Sequence, residues 1–266
     1  MNPAPLGVFD SGIGGLTVAR ALFERLPRES VIYFGDTARV PYGPKSPETV
    51  RRYSAEILTY LLHQGVKAVV VACNTSTAQA LDHLKTHSPV PVVGVIEPGA
   101  GAAARASTSG RIGVIGTVGT VASGAYERAI KAVRPDATVY ARACPLFVPL
   151  VEEGWFDHPA TELIAREYLQ PLQRARVDVV VLGCTHYPLL KPLLVRVLGR
   201  DVALIDSAEE TASAVQREIA QRGLTAPAAS EPTHRFVVSD DEPHFRSVGA
   251  RFLGEKLRKV EVVPLG

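Results

Sequence analysis

Two of the three cysteines in this 266-residue chain stand in the same local pattern. Residues 66–75 read VKAVVVACNT and residues 177–186 read VDVVVLGCTH. Each segment is a β-branched apolar run that ends on a small residue, then Cys73 or Cys184, then polar residues suited to open a helix. A single free cysteine is ordinarily a small buried hydrophobe. Repetition of the placement is what points to chemistry. A thiol at a helix N-terminus meets unsatisfied N–H groups and the positive end of the macrodipole, and both favour the thiolate. Two thiols placed alike on like halves could meet one substrate from opposite sides. That geometry suits taking a proton from a carbon and returning one on the other face. Cys144 has no counterpart and reads as packing.

Further candidates cluster around these two. Asp10 opens the stretch Asp10-Ser11-Gly12-Ile13-Gly14-Gly15. This stretch has no Walker lysine, and an aspartate beside a phosphate would repel it. Its glycines would let backbone N–H groups approach a carboxylate. Asp10 could hold a substrate ammonium, tune Cys73 or serve as a turn residue. His186, two residues past Cys184, could set the thiol's ionisation. Glu152 is a candidate partner on the Cys184–His186 side. Pro41, Tyr42 and Gly43 could bind a carboxylate, and Thr117 and Thr120 could donate hydroxyl hydrogen bonds. Asn74, Thr75 and Thr185 are expected as N-cap types beside the thiols. Cys73, Cys184 and His186 could in principle ligate zinc, but neither cysteine belongs to a C-x-x-C pair, and no metal is expected.

The elements that must position these residues alternate between short apolar runs and amphipathic segments, which reads as α/β with parallel strands. Continuous apolar runs fit strands covered on both faces, and such sheets bind ligands at strand C-terminal ends. Strands are expected at 6–9, 31–34, 68–72, 92–95, 112–115, 139–141, 179–182, 203–205, 235–238 and 260–263. Ser46 before Pro47 should cap a helix that buries Val50, Tyr53, Ile57, Leu58 and Leu61. Gly7-Val8-Phe9-Asp10-Ser11 resembles Gly113-Val114-Ile115-Gly116-Thr117. The near-constant offset of these pairs along the chain predicts two similar halves. Glu97-Pro98-Gly99-Ala100-Gly101 reads as a turn-rich boundary and 224–232 as a surface loop. The tail from Ala208 should hold two helices and strands.

Formal net charge is +2, which gives no reason to expect a nucleic-acid partner. The basic stretch Arg246–Lys259 reads as a solvated helix face. No apolar run is long enough to span a bilayer. An odd cysteine count with irregular spacing argues against a disulfide scaffold and for a reducing cytoplasm.

Taken together, Val8-Phe9-Asp10-Ser11-Gly12-Ile13-Gly14-Gly15-Leu16, Gly35-Asp36-Thr37, Pro41-Tyr42-Gly43, Ala72-Cys73-Asn74-Thr75 and Gly183-Cys184-Thr185-His186-Tyr187-Pro188 resemble the glutamate racemases of the cofactor-independent Asp/Glu racemase superfamily. The resemblance implies two similar α/β domains with mainly parallel sheets, pseudo-twofold related, with the active site in the crevice between them. Their expected extents are 1–97 with 207–266, and 98–206. It implies glutamate as substrate, no cofactor and a homodimer. Cys73 would act on the D-enantiomer and Cys184 on the L-enantiomer, assisted by Asp10 and His186, with Glu152 as a further acidic residue. Ser11, Tyr42, Gly43, Asn74, Thr75 and Thr185 would line the substrate. An aspartate racemase, a non-catalytic two-lobed binding protein and a thiol oxidoreductase remain alternatives.

Overall fold

The computed structural model describes residues 1–254, 257 and 259–265. The first unit runs β1 (Leu6–Asp10), α1 (Leu16–Arg25), β2 (Val31–Gly35), α2 (Pro47–His63), β3 (Ala68–Val71), α3 (Asn74–His87) and β4 (Val92–Gly94). Next come α4 (Ile96–Ala106), β5 (Arg111–Gly116), α5 (Val118–Ala122), α6 (Ala125–Val133), β6 (Thr138–Ala143), α7 (Phe147–Glu152), α8 (Pro159–Arg174), β7 (Val179–Gly183), α9 (Lys191–Leu198) and β8 (Ala203–Asp206). The tail supplies α10 (Ser207–Gln221), β9 (His234–Val238), α11 (Glu242–Leu253) and β10 (Glu261–Val262). The basic stretch Arg246–Lys259 begins on α11; its residues Glu255, Lys256 and Arg258 lie outside the described residues.

These elements form two sheets, ordered β10-β9-β2-β1-β3-β4 and β6-β5-β7-β8, and every strand pair among the described residues is parallel. The four strands β2-β1-β3-β4 match β6-β5-β7-β8 in order, so the sequence repeat corresponds to a repeated topology. The tail strands β9 and β10 extend the first sheet beyond β2. The central strands β1, β3 and β7 are buried along their whole length, which is why they read as unbroken apolar runs.

Local chemistry explains the flanking helices. Ser46 accepts a hydrogen bond from the Thr49 N–H, and Pro47 takes a first-turn position where no N–H is needed. Val50, Ile57, Leu58 and Leu61 then face the sheet, each burial worth about 2 kcal/mol. One apolar cluster runs through both units and joins Leu6, Leu16 and Tyr33 of the first to Phe147, Leu182 and Tyr187 of the second.

The segment expected as a turn-rich boundary is helical instead, because α4 covers Ile96–Ala106. Pro98 falls within its first turn, where the missing N–H costs no hydrogen bond. Gly99 and the alanines make the helix narrow, and it packs close. A Cβ on Gly99 would lie 3.0 Å from the Cβ of Ser207. Small residues that read as loop are used here for close approach.

Candidate active site

Both cysteines sit just past the C-terminal end of the strand next to the edge of their sheets, Cys73 after β3 and Cys184 after β7. Both are nearly buried free thiols. Cys73 is itself the N-cap of α3, and its sulfur accepts from the Ser76 N–H at 3.4 Å. The cap expected of the neighbouring Asn74 and Thr75 is therefore the thiol's own. Cys184 differs. A short 3₁₀ turn, Tyr187–Leu190, follows it, and α9 begins beyond with Leu190 at its N-cap and no side-chain cap. Thr185 is not a helix cap, because His186 holds the N-cap position of that turn and α9 starts only at Lys191.

The charges beside the two sulfurs also differ. Asp10, at the end of β1, is 1% exposed, and its Oδ2 accepts from the Gly12 N–H at 3.0 Å. Burial raises its pKa, while the His186 charge and backbone N–H groups oppose that rise. Burial also pushes the Cys73 thiol up to about 11, and the Asp10 charge adds to the effect. Hydrogen bonds with Ser76 and Ser11 work the other way and do not win. The expectation of a thiolate favoured at both helix starts fails at Cys73, where desolvation outweighs the helix end.

On the opposite side the His186 Nδ1 lies 3.9 Å from the Cys184 sulfur, and its Nε2 lies 2.9 Å from Glu152 Oε1. Burial alone would lower the imidazole's pKa. Hydrogen bonds to Cys184 and Glu152, with their charges, overcome it and hold His186 up to about 10. Burial opposes ionisation of Glu152 too, but the histidine's hydrogen bond and charge bring that carboxyl below its usual range. The side next to Cys184 thus holds an imidazolium, and the side next to Cys73 holds a carboxyl group.

Several contacts bring the two sides together. The Thr75 and Thr117 hydroxyls are 2.9 Å apart, and Thr117 bonds Thr120 at 2.9 Å. Thr117 caps α5 by accepting from the Thr120 N–H. The Gly119 N–H donates to the Gly43 carbonyl at 2.9 Å. Gly14 lies directly against Thr185 and His186, and a Cβ there would come within 2.6 Å of the His186 Nδ1. Gly14 therefore admits the second unit, whereas the sequence alone assigned the loop's glycines to carboxylate approach. The buried polar atoms without a partner among the described residues include three beside Cys73: the acceptor Asp10 Oδ1, the donor Asn74 Nδ2 and the Ser76 hydroxyl.

Other candidates are placed as follows. The Tyr42 ring packs in one cluster with Cys73 and Val50, but its hydroxyl donates to Asp36, and its carbonyl accepts from the Lys45 N–H at 3.0 Å. Pro41 is exposed and Gly43 buried. Ser11 is half-buried beside Cys73. Cys144 is buried in the second unit. Two residues near the site went unread in the sequence. Tyr33 donates to the Gly12 carbonyl at 2.9 Å, and Tyr126 donates to Asn74 Oδ1 at 2.7 Å. Each sits on an apolar face of its element and looks there like ordinary core.

Comparison with known proteins places this arrangement among relatives. Residues 11–215 match the family model described as Asp/Glu/Hydantoin racemase. A glutamate racemase of Geobacter metallireducens is 55% identical over 260 residues, covering 98% of this chain and 96% of that relative. A crystal structure of a glutamate racemase isoform from Bacillus anthracis superposes with TM-score 0.95 at 40% identity, covering 100% of this chain and 99% of that one. A Francisella tularensis glutamate racemase in complex with D-glutamate superposes with TM-score 0.93 at 38% identity, with coverage of 100% and 99%.

Proposed function

The chain belongs to the Asp/Glu/hydantoin racemase family, and from that premise we propose that it interconverts L- and D-glutamate by a two-base mechanism on Cys73 and Cys184. The observation that carries this reading is the pair of like-placed thiols at matching strand ends, with unlike charges beside them.

For the L-to-D direction, Cys184 starts as the thiolate beside the imidazolium of His186 and takes the α-proton, becoming a thiol. The Cα–H bond breaks and its electrons pass into the substrate carboxylate as an enediolate. Cys73 starts as a thiol, held protonated by burial and Asp10, and delivers its proton to the other face. The reverse direction exchanges the two roles. Positioned acid–base catalysis supplies roughly 10²–10⁴-fold. The remainder must come from stabilising the enediolate with fixed donors in a dry site. Asn74 Nδ2 and the hydroxyls of Thr75, Thr117 and Thr120 are donors near the site, and Asp10 Oδ1 is an acceptor suited to the substrate ammonium. Ser11, the Tyr42-Gly43 backbone and Thr185 complete the proposed lining.

The same reading takes the enzyme to need no cofactor, to act as a cytoplasmic homodimer and to supply D-glutamate for peptidoglycan. No helix among the described residues is long and apolar enough to cross a membrane. The test is incubation of purified protein with L-glutamate in D₂O without added cofactor. Loss of optical activity together with α-deuterium incorporation is expected. No exchange and no racemisation would remove the enzyme reading, and turnover of aspartate alone would transfer it to aspartate.

A further inference from the structure

We propose that Tyr126 is a positioning residue that fixes the Asn74 amide so that its NH₂ group faces the substrate carboxylate; this rests on the racemase reading above. Asn74 is the first residue of α3 and follows Cys73 directly. Its side chain and that of Tyr126 are both about 3% exposed. The phenol donates to Asn74 Oδ1 at 2.7 Å. An amide has an accepting end and a donating end, so holding one aims the other. The donating end, Nδ2, is buried and has no partner among the described residues. A buried unpaired donor is unfavourable, and a free amide would rotate to relieve it. The bond from Tyr126 prevents that rotation and leaves a donor ready for an incoming acceptor. The neighbouring acceptor Asp10 Oδ1 makes no bond to it and is suited to a cation. The ligand group that fits the amide is an anion, and on this substrate that is a carboxylate.

The surroundings hold the phenol in place from several elements. Gly99 of α4 lies against both Ser207, at the start of α10, and the phenolic oxygen. A Cβ on Gly183 would lie 3.0 Å from the Tyr126 ring, and one on Gly99 would lie 3.6 Å from its hydroxyl. Tyr126 belongs to the second unit and Asn74 to the first, so the bond also spans the two units.

The experiment is steady-state kinetics in both directions on wild type, Tyr126→Phe, Asn74→Ala and the double variant, with melting temperatures alongside. The phenylalanine ring keeps the packing and removes only the hydroxyl. Tyr126→Phe should raise KM for both enantiomers about tenfold, the loss of one hydrogen bond to a charged group, with kcat changed much less. In the Asn74→Ala background the same change should have no further effect on KM, because the residue acts through that amide. An unchanged KM in Tyr126→Phe, or an equal rise in both backgrounds, would overturn the proposal and leave the phenol as packing. Wild type that fails to racemise glutamate would instead sink the underlying reading.

Discussion

The two thiol-bearing units share a frame and differ in the groups beside each sulfur. Leu6 pairs with Ala68 as Ile112 pairs with Val179, so strand order and register repeat together. In that frame Cys73 corresponds to Cys184 and Ser11 to Thr117, but Asp10 corresponds to Gly116 and His186 to Thr75. Asp10 has no counterpart beside Cys184, and His186 with its Glu152 partner has none beside Cys73. A strict duplicate would set the same charge beside both sulfurs and give neither a reason to hold the proton. In the proposed mechanism, backbone symmetry sets the two sulfurs alike, and side-chain asymmetry puts a carboxyl group beside one and an imidazolium beside the other. Both features are needed, because a racemase must work from two faces of one carbon.

The largest test removes either sulfur. Cys73→Ala and Cys184→Ala should each lower racemisation by at least about 10³-fold, followed by circular dichroism of the product. Residual α-exchange in D₂O should be confined to D-glutamate in Cys184→Ala and to L-glutamate in Cys73→Ala. Full activity in either variant would break the two-base scheme.

The asymmetry is tested next. Asp10→Asn and His186→Asn should each reduce kcat/KM by about 10²-fold. Enantiomers have equal free energy, so kcat/KM must fall equally in both directions whichever side is damaged. The difference will appear in isotope effects. Weakening the Cys184 side should enlarge the α-deuterium effect on L-glutamate, and weakening the Cys73 side should enlarge it on D-glutamate. The same isotope effects from both variants would mean that the two groups serve a common function.

Much of this was legible in the sequence, and the misses share a cause. Every strand among the described residues was found, and those covered on both faces announce themselves most plainly, as apolar runs such as Val69–Val71 and Val179–Leu182. The cysteine pair was found because its local sequence repeats. Contacts between the units left no such trace. Gly14 reads as a loop glycine, yet its constraint comes from Thr185 and His186, about 170 residues away along the chain. The upward shift of the Cys73 thiol left no trace because helix-end stabilisation is local and visible, whereas burial and the Asp10 charge depend on tertiary packing. Tyr126 was missed because α6 hides it among core residues.

A smaller effect concerns pH. The alkaline limb of kcat/KM should follow His186 near pH 10. Glu152→Gln removes a charge and a hydrogen bond that hold the imidazolium, so the limb should move toward neutrality by about one unit. The linked stability runs the same way. The folded pKa of His186 is above its ordinary 6.5, so its contribution is complete below that pH and disappears as pH rises through about 10. Melting temperature across this range should fall in wild type and less in His186→Asn. An unmoved limb in Glu152→Gln would mean that the carboxylate is not what supports the histidine.

The smallest effect belongs to the third cysteine, and it decides whether thiol chemistry in the second unit is a matter of placement or of mere presence. Cys144 is buried just past β6, one strand over from β5 and two from β7, and burial pushes its thiol up to about 12. Its sulfur contacts the Arg142 carbonyl at 3.7 Å. The group nearby that matters for structure is its backbone carbonyl, which accepts from the Tyr187 hydroxyl at 2.8 Å, and a side-chain change leaves that bond in place. Cys144→Ala should therefore keep kcat/KM within about twofold and cost roughly 1 kcal/mol of stability from the small cavity. Denaturant unfolding and the racemisation assay measure the two separately. A loss of activity approaching that of Cys184→Ala would mean that the sulfur at the end of β7 is not the one that meets the substrate, and the pairing of Cys73 with Cys184 would have to be given up.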